Sequence, residues 1–438
     1  MSTIFALITS PFRAGISVIR ISGDETLQCL KNLGFKGALQ HQKISFQKIF
    51  DPKTAEKIDE VLVSFFKAPQ SFTGEDVAEI SIHASPFILK KILEILSTQK
   101  NCRLAEAGEF SKRAFLNGKL DLVQAEAIPD LIAAETELQH RQALMQLEGK
   151  LGKIYENWRL RLIEISAFIA AAIDFPDEDL PENIITSVEE NVQNLRNEIK
   201  KHLDDKKSGQ KIKDGLSLAI IGAPNVGKSS LINFLAQSEV AIVSEIPGTT
   251  RDVVEVHLSI AGMPVKISDT AGLRETSDPI EKEGIARALQ KARLADIKIF
   301  MFDAVNPVLR EDLIDENTLL VVNKIDLGGS KLSMINHQLS AIELSLTDRI
   351  NTSTLLEKLE EKVLELAPKQ NSPLITQERY RTALQNSVEN LEHFSLTKNI
   401  ELAAEDLRLA TNEIGKIIGK VDIENILDIV FSRFCIGK

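Results

Sequence analysis

The sequence of 438 residues predicts a multidomain α/β protein, with a parallel α/β domain inserted between two helical stretches. Three observations support this prediction. Short apolar runs separated by Pro and Gly fill about the first 118 residues, which is typical of a small α+β domain. Residues 216–345 alternate apolar strands with helices, as a parallel sheet requires. Apolar residues recur at helical spacing on both sides of that block.

The N-terminal α+β domain is predicted from runs of strand-forming residues. Turn-prone residues interrupt these runs, with Ser10 and Pro11 after the first and Pro69 and Gly74 further along. The predicted strands lie at residues 3–8, 16–21, 61–66 and 77–83.

A long helical segment is predicted from Leu120 to about Ala172. It is rich in Ala, Leu, Glu and Gln, and Pro129 is its one proline. The run Asp-Phe-Pro-Asp-Glu-Asp-Leu-Pro at 174–181 interrupts it before a further helix begins. The sequence Lys-Lys-Ser-Gly-Gln-Lys at 206–211 is predicted to be a linker.

The predicted domain bounds follow from these patterns. The N-terminal domain takes residues 1–118, and the α/β insert takes residues 214–368. The helical domain is built from two chain segments, residues 119–210 and residues 373–438. Its second segment ends in Cys-Ile-Gly-Lys.

The charge and the terminal sequence exclude several classes of protein. The net charge of −11 argues against binding nucleic acid through a general basic surface. The first 120 residues carry 16 Lys and Arg against 12 Asp and Glu, so a contact with a polyanion is expected on this part. There is no signal peptide and no apolar run of about 18 residues, which predicts a cytoplasmic protein without a membrane span. Cys29, Cys102 and Cys435 form no Cys-x-x-Cys pair, so no zinc site is indicated.

A phosphate-binding loop is predicted at residues 222–229. The run Gly-Ala-Pro-Asn-Val-Gly-Lys-Ser fits G-x-x-x-x-G-K-[ST] and lies between a strand at 216–221 and a helix from about Ser230. The backbone N–H groups of such a loop surround a phosphate at a helix N-terminus. Lys228 is expected to reach the β and γ phosphates, and the Ser229 hydroxyl is expected to bind Mg²⁺.

Two further motifs follow in the order expected of nucleotide-dependent switches. Gly-Thr-Thr-Arg-Asp at 248–252 has the spacing of switch I, in which the Thr250 hydroxyl binds Mg²⁺ only while the γ-phosphate is present. Asp-Thr-Ala-Gly at 269–272 follows a strand. Asp269 is expected to hold the Mg²⁺ shell, and the Gly272 N–H is expected to contact the γ-phosphate.

Guanine selectivity is predicted from Asn-Lys-Ile-Asp at 323–326. The Asp326 carboxylate accepts two donors from the guanine edge, which adenine does not offer. Ser345 is expected to close the base pocket, although its neighbour Leu346 stands where alanine is usual. The ordered motifs predict a Ras-like P-loop GTPase domain. Its predicted GTP-binding residues are Asn225, Val226, Gly227, Lys228, Ser229, Ser230, Ser244, Glu245, Ile246, Pro247, Gly248, Thr249, Thr250, Asp269, Thr270, Ala271, Gly272, Asn323, Lys324, Asp326 and Ser345.

The water-activating residue is missing from its usual place. In Ras-like proteins a Gln follows the Asp-x-x-Gly motif, but this chain has Leu273 there. Arg251 and Arg274 are candidate arginine fingers, though the ordinary interpretation of both is a surface residue. Phosphoryl transfer still needs positive charge and an oriented water, so another source is expected.

Along essentially its whole length the chain resembles the MnmE (TrmE) family of tRNA-modifying GTPases. The GTPase motifs carry part of the resemblance. The other matching segments are GEFSKRAFLNGKLDLVQAE at 108–126, IDFPDED at 173–179 and FSRFCIGK at 431–438.

The resemblance implies a source for the missing catalytic charge. In this family a K⁺ ion acts in place of an arginine finger. The Asn225 side chain would bind it, together with backbone oxygens of Ser244, Ile246 and Thr249. Glu281 occupies the place of the family's water-positioning residue, whereas without the family it is a charge on a solvated helix.

The resemblance also implies a folate-binding N-terminal domain that forms a homodimer. Arg20, Glu79, Lys119 and Lys438 match the positions that contact a tetrahydrofolate one-carbon donor. Arg and Lys suit the glutamate carboxylates of the donor, and Glu79 suits the pterin N–H groups. The turn at 83–86 is His-Ala-Ser-Pro where the family usually has His-Gly-Gly-Pro, so folate affinity or loop geometry is expected to differ.

Two interpretations of Cys435 remain open. Arg433 and Lys438 lie beside it in sequence, and such charges lower a thiol pKa and favour a catalytic role. The spacing alone favours a small buried apolar cysteine. Prenylation is disfavoured by the final Lys and the internal Gly.

The leading hypothesis is a K⁺-stimulated, Mg²⁺-dependent GTPase that acts in tRNA wobble-uridine modification. The resemblance implies addition of an aminomethyl or carboxymethylaminomethyl group at uridine C5, with a FAD-dependent partner of the MnmG family in a heterotetramer or larger complex. A ribosome-assembly GTPase switch is the alternative, but it predicts a basic RNA-binding domain where residues 373–438 suggest acidic amphipathic helix. A dynamin-like membrane protein is disfavoured because no basic amphipathic or lipid-binding segment is visible.

Overall fold

The computed structural model describes most of the chain. The described residues are 2–174, 182–238, 240, 256–268, 290, 292–304, 313–328, 341–367, 373–396, 399–421, 424–432 and 434–437. They form two compact units. The first unit comprises Met1–Pro129, Gln146–Glu178 and Ile400–Lys438, and the second comprises Asp130–Met145 and Asp179–Asn399.

The first unit is built on a six-stranded, mostly antiparallel sheet with the order β3-β4-β5-β2-β1-β6. Its strands are β1 (Thr3–Leu7), β2 (Ile16–Ser22), β3 (Ile44–Phe50), β4 (Lys57–Phe66), β5 (Val77–His83) and β6 (Cys102–Leu104). Among these six strands, β1 and β6 pair in parallel and the other neighbours pair antiparallel. The four predicted strands are confirmed to within a few residues, whereas β3 and β6 were not predicted.

Helices cover one face of this sheet and form a second small core in the same unit. Side chains of α1 (Thr26–Asn32) and α2 (Pro86–Ser97) pack with the buried residues of the central strands. Next in the chain come α3 (Glu109–Leu116) and α4 (Leu122–Ile132). The start of α4 shares an apolar cluster with Leu427, Val430 and Phe431 near the C-terminus.

The second unit contains a six-stranded α/β sheet with the order β12-β11-β10-β7-β9-β8. Its strands are β7 (Leu216–Gly222), β8 (Val256–Ile260), β9 (Met263–Ser268), β10 (Ile297–Asp303), β11 (Thr318–Asn323) and β12 (Ile342–Glu343). All neighbouring strands pair in parallel except β8 and β9. β7 and β10 are almost continuously buried, as expected for strands covered on both faces. The predicted parallel α/β domain is therefore confirmed.

The remaining helices fall in both units. They are α5 (Glu137–Leu147), α6 (Lys150–Asp174), α7 (Glu182–Leu203), α8 (Ser208–Asp214), α9 (Lys228–Ala236), α10 (Thr352–Leu366), α11 (Glu378–His393), α12 (Ile400–Ile418) and α13 (Glu424–Phe431). Within the first unit α6 packs along α12, and within the second unit α7 packs along α11. The two helical stretches of the sequence thus pair with each other once in each unit. No described helix has the length and apolar character needed to cross a bilayer.

The prediction of a linker at residues 206–211 was wrong for residues 208–211, which are helical. Helix α8 begins at Ser208, directly after Lys206 and Lys207, which both have positive φ. Ile212 is 3% exposed and belongs to the core of the α/β sheet. A Cβ on Gly209 would lie 2.3 Å from the carbonyl oxygen of Ile375, so only glycine allows this approach. Long-range packing therefore orders a segment whose composition suggested a linker.

Candidate functional site

The phosphate-binding loop joins the end of β7 to the start of α9. Gly227 has φ +106° and precedes the first residue of α9. A Cβ at this position would lie 2.3 Å from Nδ2 of Asn323, so a side chain here would collide with the neighbouring loop. Asn225 also has positive φ, at 63°, and its side chain is exposed. The loop geometry is therefore the strand–loop–helix arrangement that binds phosphate through backbone N–H groups.

The ammonium group of Lys228 lies against the backbone of the same loop. Its Nζ donates hydrogen bonds to the carbonyl oxygens of Gly222 at 3.0 Å and Ala223 at 2.8 Å. Ser229 and Ser230 follow on the first turn of α9 and are exposed, whereas Val226 is buried. A cation and the N-terminal turn of a helix thus meet at one loop, and both favour an anion.

The predicted base-binding residues lie at the carboxyl ends of β11 and β12. Asn323 is 4% exposed, and its Nδ2 donates a 2.8 Å hydrogen bond to the backbone carbonyl of Val226. The N–H of Leu346 donates to Oδ1 of Asn323 at 3.3 Å. Asn323 therefore contacts the phosphate loop on one side and the segment after β12 on the other.

The neighbours of Asn323 have different environments. Lys324 has φ 67°, and its Nζ forms a 2.7 Å ion pair with Asp303 at the end of β10. Asp326 lies in a short 3₁₀ helix and is exposed. Ser345 is fully buried, and its hydroxyl oxygen accepts the N–H of Asp348 at 3.2 Å. These side chains gather at the edge where the parallel strands end, which is where α/β sheets bind ligands.

Several predicted residues lie outside the described part of the chain. They are Ser244, Glu245, Ile246, Pro247, Gly248, Thr249, Thr250, Asp269, Thr270, Ala271, Gly272, Glu281 and Lys438. The predicted Mg²⁺ set is therefore described only at Ser229, and the predicted K⁺ set only at Asn225.

The first unit brings two of the predicted folate residues into direct contact. Arg20 on β2 and Glu79 on β5 are register partners in the sheet. The Arg20 Nη2 lies 2.8 Å from the Glu79 Oε1, and the Arg20 Nε lies 2.9 Å from the same oxygen. Neither side chain is fully buried.

Two aromatic rings that were not predicted as site residues flank Arg20. Its guanidinium carbon lies 5.2 Å from the centre of the Phe72 ring and 5.5 Å from that of Phe110. Both distances fall within the range of cation–π attraction. Phe110 is buried, but Phe72 is 37% exposed beside the Arg20–Glu79 pair. Only the inclusion of Phe110 in the segment at 108–126 hinted at its importance.

The third predicted folate residue, Lys119, contacts the same loop that carries Phe72. Its Nζ donates to the carbonyl oxygen of Pro69 at 3.0 Å. The Asn117 side chain donates to the carbonyl oxygen of Thr73 at 2.7 Å. The loop at 69–75 therefore connects Lys119 with the surroundings of Arg20.

A buried ionic network supports this loop. Arg113 is 4% exposed, and its Nη1 lies 3.0 Å from both carboxylate oxygens of Glu75. Arg113 also donates to Glu109 at 2.9 Å, and Glu109 receives two further bonds from Arg103. Burial raises the pKa of Glu109, but hydrogen bonds from Arg103, from the backbone of Glu106 and from Arg113 outweigh burial and lower the pKa.

Comparison with known proteins covers nearly the whole chain. The family model described as GTP-binding protein TrmE N-terminus matches residues 3–119. The model described as MnmE helical domain matches residues 122–435. The protein named tRNA modification GTPase MnmE from Rickettsia akari (strain Hartford) is 46% identical over 445 residues, with 100% of both chains covered. That from Rickettsia rickettsii (strain Sheila Smith) is 47% identical, also with 100% of both chains covered.

The chain belongs to the MnmE family. The resemblance predicted from its motifs is thereby confirmed.

Solved structures similar to this MnmE-family chain include a FeoB G domain and the protein Era. The G domain of the FeoB iron transporter of T. maritima is 27% identical, with 34% of this chain and 98% of that chain covered and a TM-score of 0.26. Era of Aquifex aeolicus, solved with GDP and AlF4−, is 26% identical. The match covers 40% of this chain and 66% of that chain, with a TM-score of 0.27. Because both TM-scores are low, the assignment rests on the family models and the full-length relatives.

The turn that departs from the usual MnmE pattern does not need glycine in this chain. Ser85 has φ −89°, and Ala84 is not among the described residues that have a positive φ. His83 is held by Asp59, whose carboxylate accepts both the His83 backbone N–H and a 2.7 Å bond with its Nδ1. Ala84 and Ser85 line a cavity of about 540 Å³. In the described structure none of Arg20, Glu79 and Lys119 lines that cavity.

The C-terminal cysteine of this MnmE-family chain is exposed, so the buried interpretation of Cys435 was wrong. The carbonyl oxygen of Cys435 accepts the N–H of Gly108 at 3.4 Å, and Ile436 forms a β-bridge with Ala107. The C-terminal segment therefore lies beside the start of α3, which carries Phe110.

Proposed function

We propose that this MnmE-family chain couples Mg²⁺-dependent, K⁺-stimulated GTP hydrolysis to modification of the tRNA wobble uridine at C5. The observation that carries the proposal is the bond from Asn323 to Val226, which joins the base-binding and phosphate-binding loops into one site. Family membership supplies the tRNA substrate, because the full-length relatives are named tRNA modification GTPases.

Phosphate binding is assigned to the loop after β7. The backbone N–H groups from Asn225 to Ser230 would surround the β-phosphate, and Lys228 would neutralise charge on the β and γ phosphates. Its ammonium already lies at the carbonyls of this loop, so no large movement of the side chain is needed. Ser229, with Thr250 and Asp269, would hold Mg²⁺, which neutralises charge that develops on the phosphates.

Guanine recognition is assigned to Asp326, with Asn323 as a brace between loops. Asp326 is exposed, so its carboxylate is free to accept the two guanine donors. Asn323 already uses its amide on Val226 and Leu346, so its contribution is to hold the two loops in register. Ser345 is buried and supports the turn that closes the base pocket.

Catalysis is assigned to Lys228, Asn225 and Glu281. Asn225 has an exposed side chain at the phosphate loop, which suits a K⁺ ligand, and Ser244, Ile246 and Thr249 would complete the ion's coordination. A bound K⁺ would supply the positive charge that an arginine finger supplies elsewhere. Glu281 would orient the attacking water.

The first unit is proposed to bind a tetrahydrofolate one-carbon donor. The residues fit this ligand: Lys119 suits its glutamate carboxylates, and Glu79, which is held by Arg20 at 2.8 Å, suits the pterin N–H groups. The exposed ring of Phe72 adds an apolar surface on which a flat ring can stack. Lys438 and the exposed Cys435 complete the proposed site, with Cys435 as a candidate catalytic thiol.

The proposed partners follow from the family. We propose a homodimer through the N-terminal domain and a complex with a FAD-dependent MnmG-family protein that helps to hold the tRNA. The proposed tRNA substrate also supports a proposed location in the cytoplasm.

The first experiment compares GTP turnover in KCl and NaCl at matched ionic strength. Marked stimulation by K⁺ supports the Asn225 site and the mechanism built on it. Equal rates in both salts would keep the GTPase but remove the proposed K⁺ mechanism. Mass spectrometry of tRNA nucleosides from a deletion strain then tests the substrate, because loss of the wobble modification separates this function from a role in ribosome assembly.

A further inference from the structure

Two cysteines far apart in sequence meet inside the first unit. Cys29 lies on α1, and Cys102 is the first residue of β6. Their Sγ atoms are 3.6 Å apart although 73 residues separate them. Both thiols are free. Cys29 is 1% exposed and belongs to the core of the sheet, whereas Cys102 packs against the same core and is partly exposed.

Thr3 of β1 contacts both segments that carry the two cysteines. Thr3 is the register partner of Cys102 in the parallel β1–β6 ladder. The Thr3 hydroxyl oxygen also accepts the N–H of Glu25, immediately before α1, at 2.9 Å. One residue therefore anchors both segments.

A side-chain contact ties the same segments at a second point. The Asn32 amide at the end of α1 donates to the Gln99 side-chain oxygen at 3.2 Å, just before β6. With Thr3, this contact fixes α1 and the start of β6 on both sides of the sulfur pair. The closeness of the two sulfur atoms is therefore a product of the fold.

The local chemistry makes the two thiols unequal. The Cys29 S–H donates to the sulfur of Cys102. This bond lowers the pKa of Cys102. The same bond, together with burial, raises the pKa of Cys29, and the nearby charge of Glu25 also raises it. The thiolate, which is the reactive form, is therefore favoured on Cys102, the less buried residue of the pair.

We propose that Cys29 and Cys102 form a dithiol site that reacts with peroxides and closes to an intramolecular disulfide. The Cys102 thiolate attacks one oxygen of hydrogen peroxide, the O–O bond breaks, and the leaving hydroxide takes a proton to give water. Cys102 is then a sulfenic acid. The Cys29 sulfur attacks the Cys102 sulfur, the S–O bond breaks, and a second water leaves with the Cys29 proton. The dithiol loses two electrons, and the peroxide gains them.

The geometry requires only a small movement to complete this reaction. The two sulfur atoms are now 3.6 Å apart. A disulfide bond is about 2 Å long, so they must move closer by about 1.6 Å. The disulfide joins α1 to the edge strand β6. It closes a loop of chain between two residues that are 73 positions apart. Cross-links that close long loops restrict the unfolded chain, so the oxidised form is expected to melt at a higher temperature.

The test uses the full-length chain carrying Cys435→Ser, which leaves only the two thiols of interest. The reduced chain is treated with hydrogen peroxide, quenched with catalase, denatured, alkylated and mapped by mass spectrometry. The expected result is a linked pair of peptides containing Cys29 and Cys102, a total mass lower by two hydrogens, and reversal by dithiothreitol. Full alkylation of both thiols, under conditions that oxidise Cys435 in the unsubstituted chain, would overturn the proposal. Cross-links between separate chains would overturn it as well.

Two variants assign the order of the steps. Cys29→Ala keeps a small apolar side chain in the core and leaves Cys102 without its partner, so dimedone is expected to trap a sulfenic acid on Cys102. Cys102→Ser is expected to leave Cys29 reduced at the same peroxide concentration. Oxidation of Cys29 in Cys102→Ser at the original rate would reject Cys102 as the attacking thiol. Circular dichroism tests whether each variant is folded. If one variant is unfolded, the peptide map of the Cys435→Ser chain still decides the proposal.

Discussion

Asn323 donates from Nδ2 to the backbone carbonyl of Val226 at 2.8 Å, and this bond links the loop after β11 to the loop after β7. Asn323 is almost completely buried, so water does not easily replace the bond. A residue of the predicted guanine motif thus also holds the phosphate loop by a direct hydrogen bond. Substitutions at Asn323 are expected to affect every guanine nucleotide, whatever its number of phosphates.

Asn323→Ala is expected to weaken the binding of GTP and GDP together. It leaves the Val226 carbonyl without its partner, which costs about 1–3 kcal/mol, or roughly fivefold to 150-fold in affinity. Titration with fluorescent GTP and GDP measures both. Asn233→Ala, at an exposed position on α9, is the control and should bind normally. Loss of affinity for GTP with normal affinity for GDP would argue against a brace between the loops.

Asp326→Asn is expected to reduce the preference for guanine. The exposed carboxylate would no longer accept both guanine donors, so affinity for GTP should fall by about 10²-fold or more. Xanthosine triphosphate, which has an acceptor where guanine has its amino donor, should bind better than before. Competition between the two nucleotides measures the change. Asp348→Asn, at an exposed position near Ser345, is the control. If Asp326→Asn keeps its preference for GTP, Asp326 does not read the base.

Glu281→Ala is expected to slow GTP hydrolysis while GTP affinity stays within about tenfold, because the residue is proposed to orient water and not to bind nucleotide. The loss in turnover should be about 10²-fold or more, as for other residues that position or activate the nucleophile. Single-turnover kinetics in KCl, alongside nucleotide titration, separate the two effects. Glu283→Ala provides a nearby acidic control. Turnover equal to that of the unsubstituted chain would reject the assignment.

Phe72→Ala is expected to weaken tetrahydrofolate binding without unfolding the chain. The exposed ring lies next to Arg20, and aromatic contacts of this kind contribute about 0.5–1.5 kcal/mol, or roughly twofold to tenfold in affinity. Calorimetric titration with a tetrahydrofolate measures binding independently of any enzymatic activity. Phe87→Ala removes another exposed ring, on α2, and should bind as before. Equal losses in both variants would show that Phe72 has no specific role.

Glu109→Gln is expected to destabilise the first unit at neutral pH and to have less effect in acid. Hydrogen bonds from Arg103, Glu106 and Arg113 outweigh burial and hold the pKa of Glu109 below its usual value of 4.5. A carboxyl group with a lowered pKa stabilises the folded chain above its usual pKa, and this contribution is lost as pH falls through the lowered value. Urea midpoints measured from pH 7 to below pH 4.5 should therefore converge for the variant and the parent. Glu106→Gln is the control, and a constant difference between Glu109→Gln and its parent across this range would contradict the ionic role.

Local sequence predicted the parts of the molecule that depend on local geometry. Gly227 and Lys228 belong to a short motif whose backbone shape is determined by its own residues, so the loop was found from the sequence. Four of the six strands of the first sheet, and the strand–helix alternation of the second, followed from apolar runs bounded by turns, whereas β3 and β6 did not.

Features that depend on distant residues were not visible in the sequence. Phe72 and Phe110 come together around Arg20 only because of the sheet and the loop at 69–75. Helix α8 is ordered by the close approach of Ile375 to Gly209, residues far apart in the chain. Periodicity and composition contain no information about such contacts.

The pairing of α6 with α12 has a consequence for synthesis on the ribosome. The first unit contains the N-terminus, yet it also needs Ile400–Lys438. The buried side chains of α6, among them Tyr155 and Trp158, emerge long before α12 is translated. All residues of the second unit are therefore synthesised before the last helices of the first unit. A transcript that ends before codon 400 would yield a chain whose apolar α6 surface is exposed to aggregation or proteolysis.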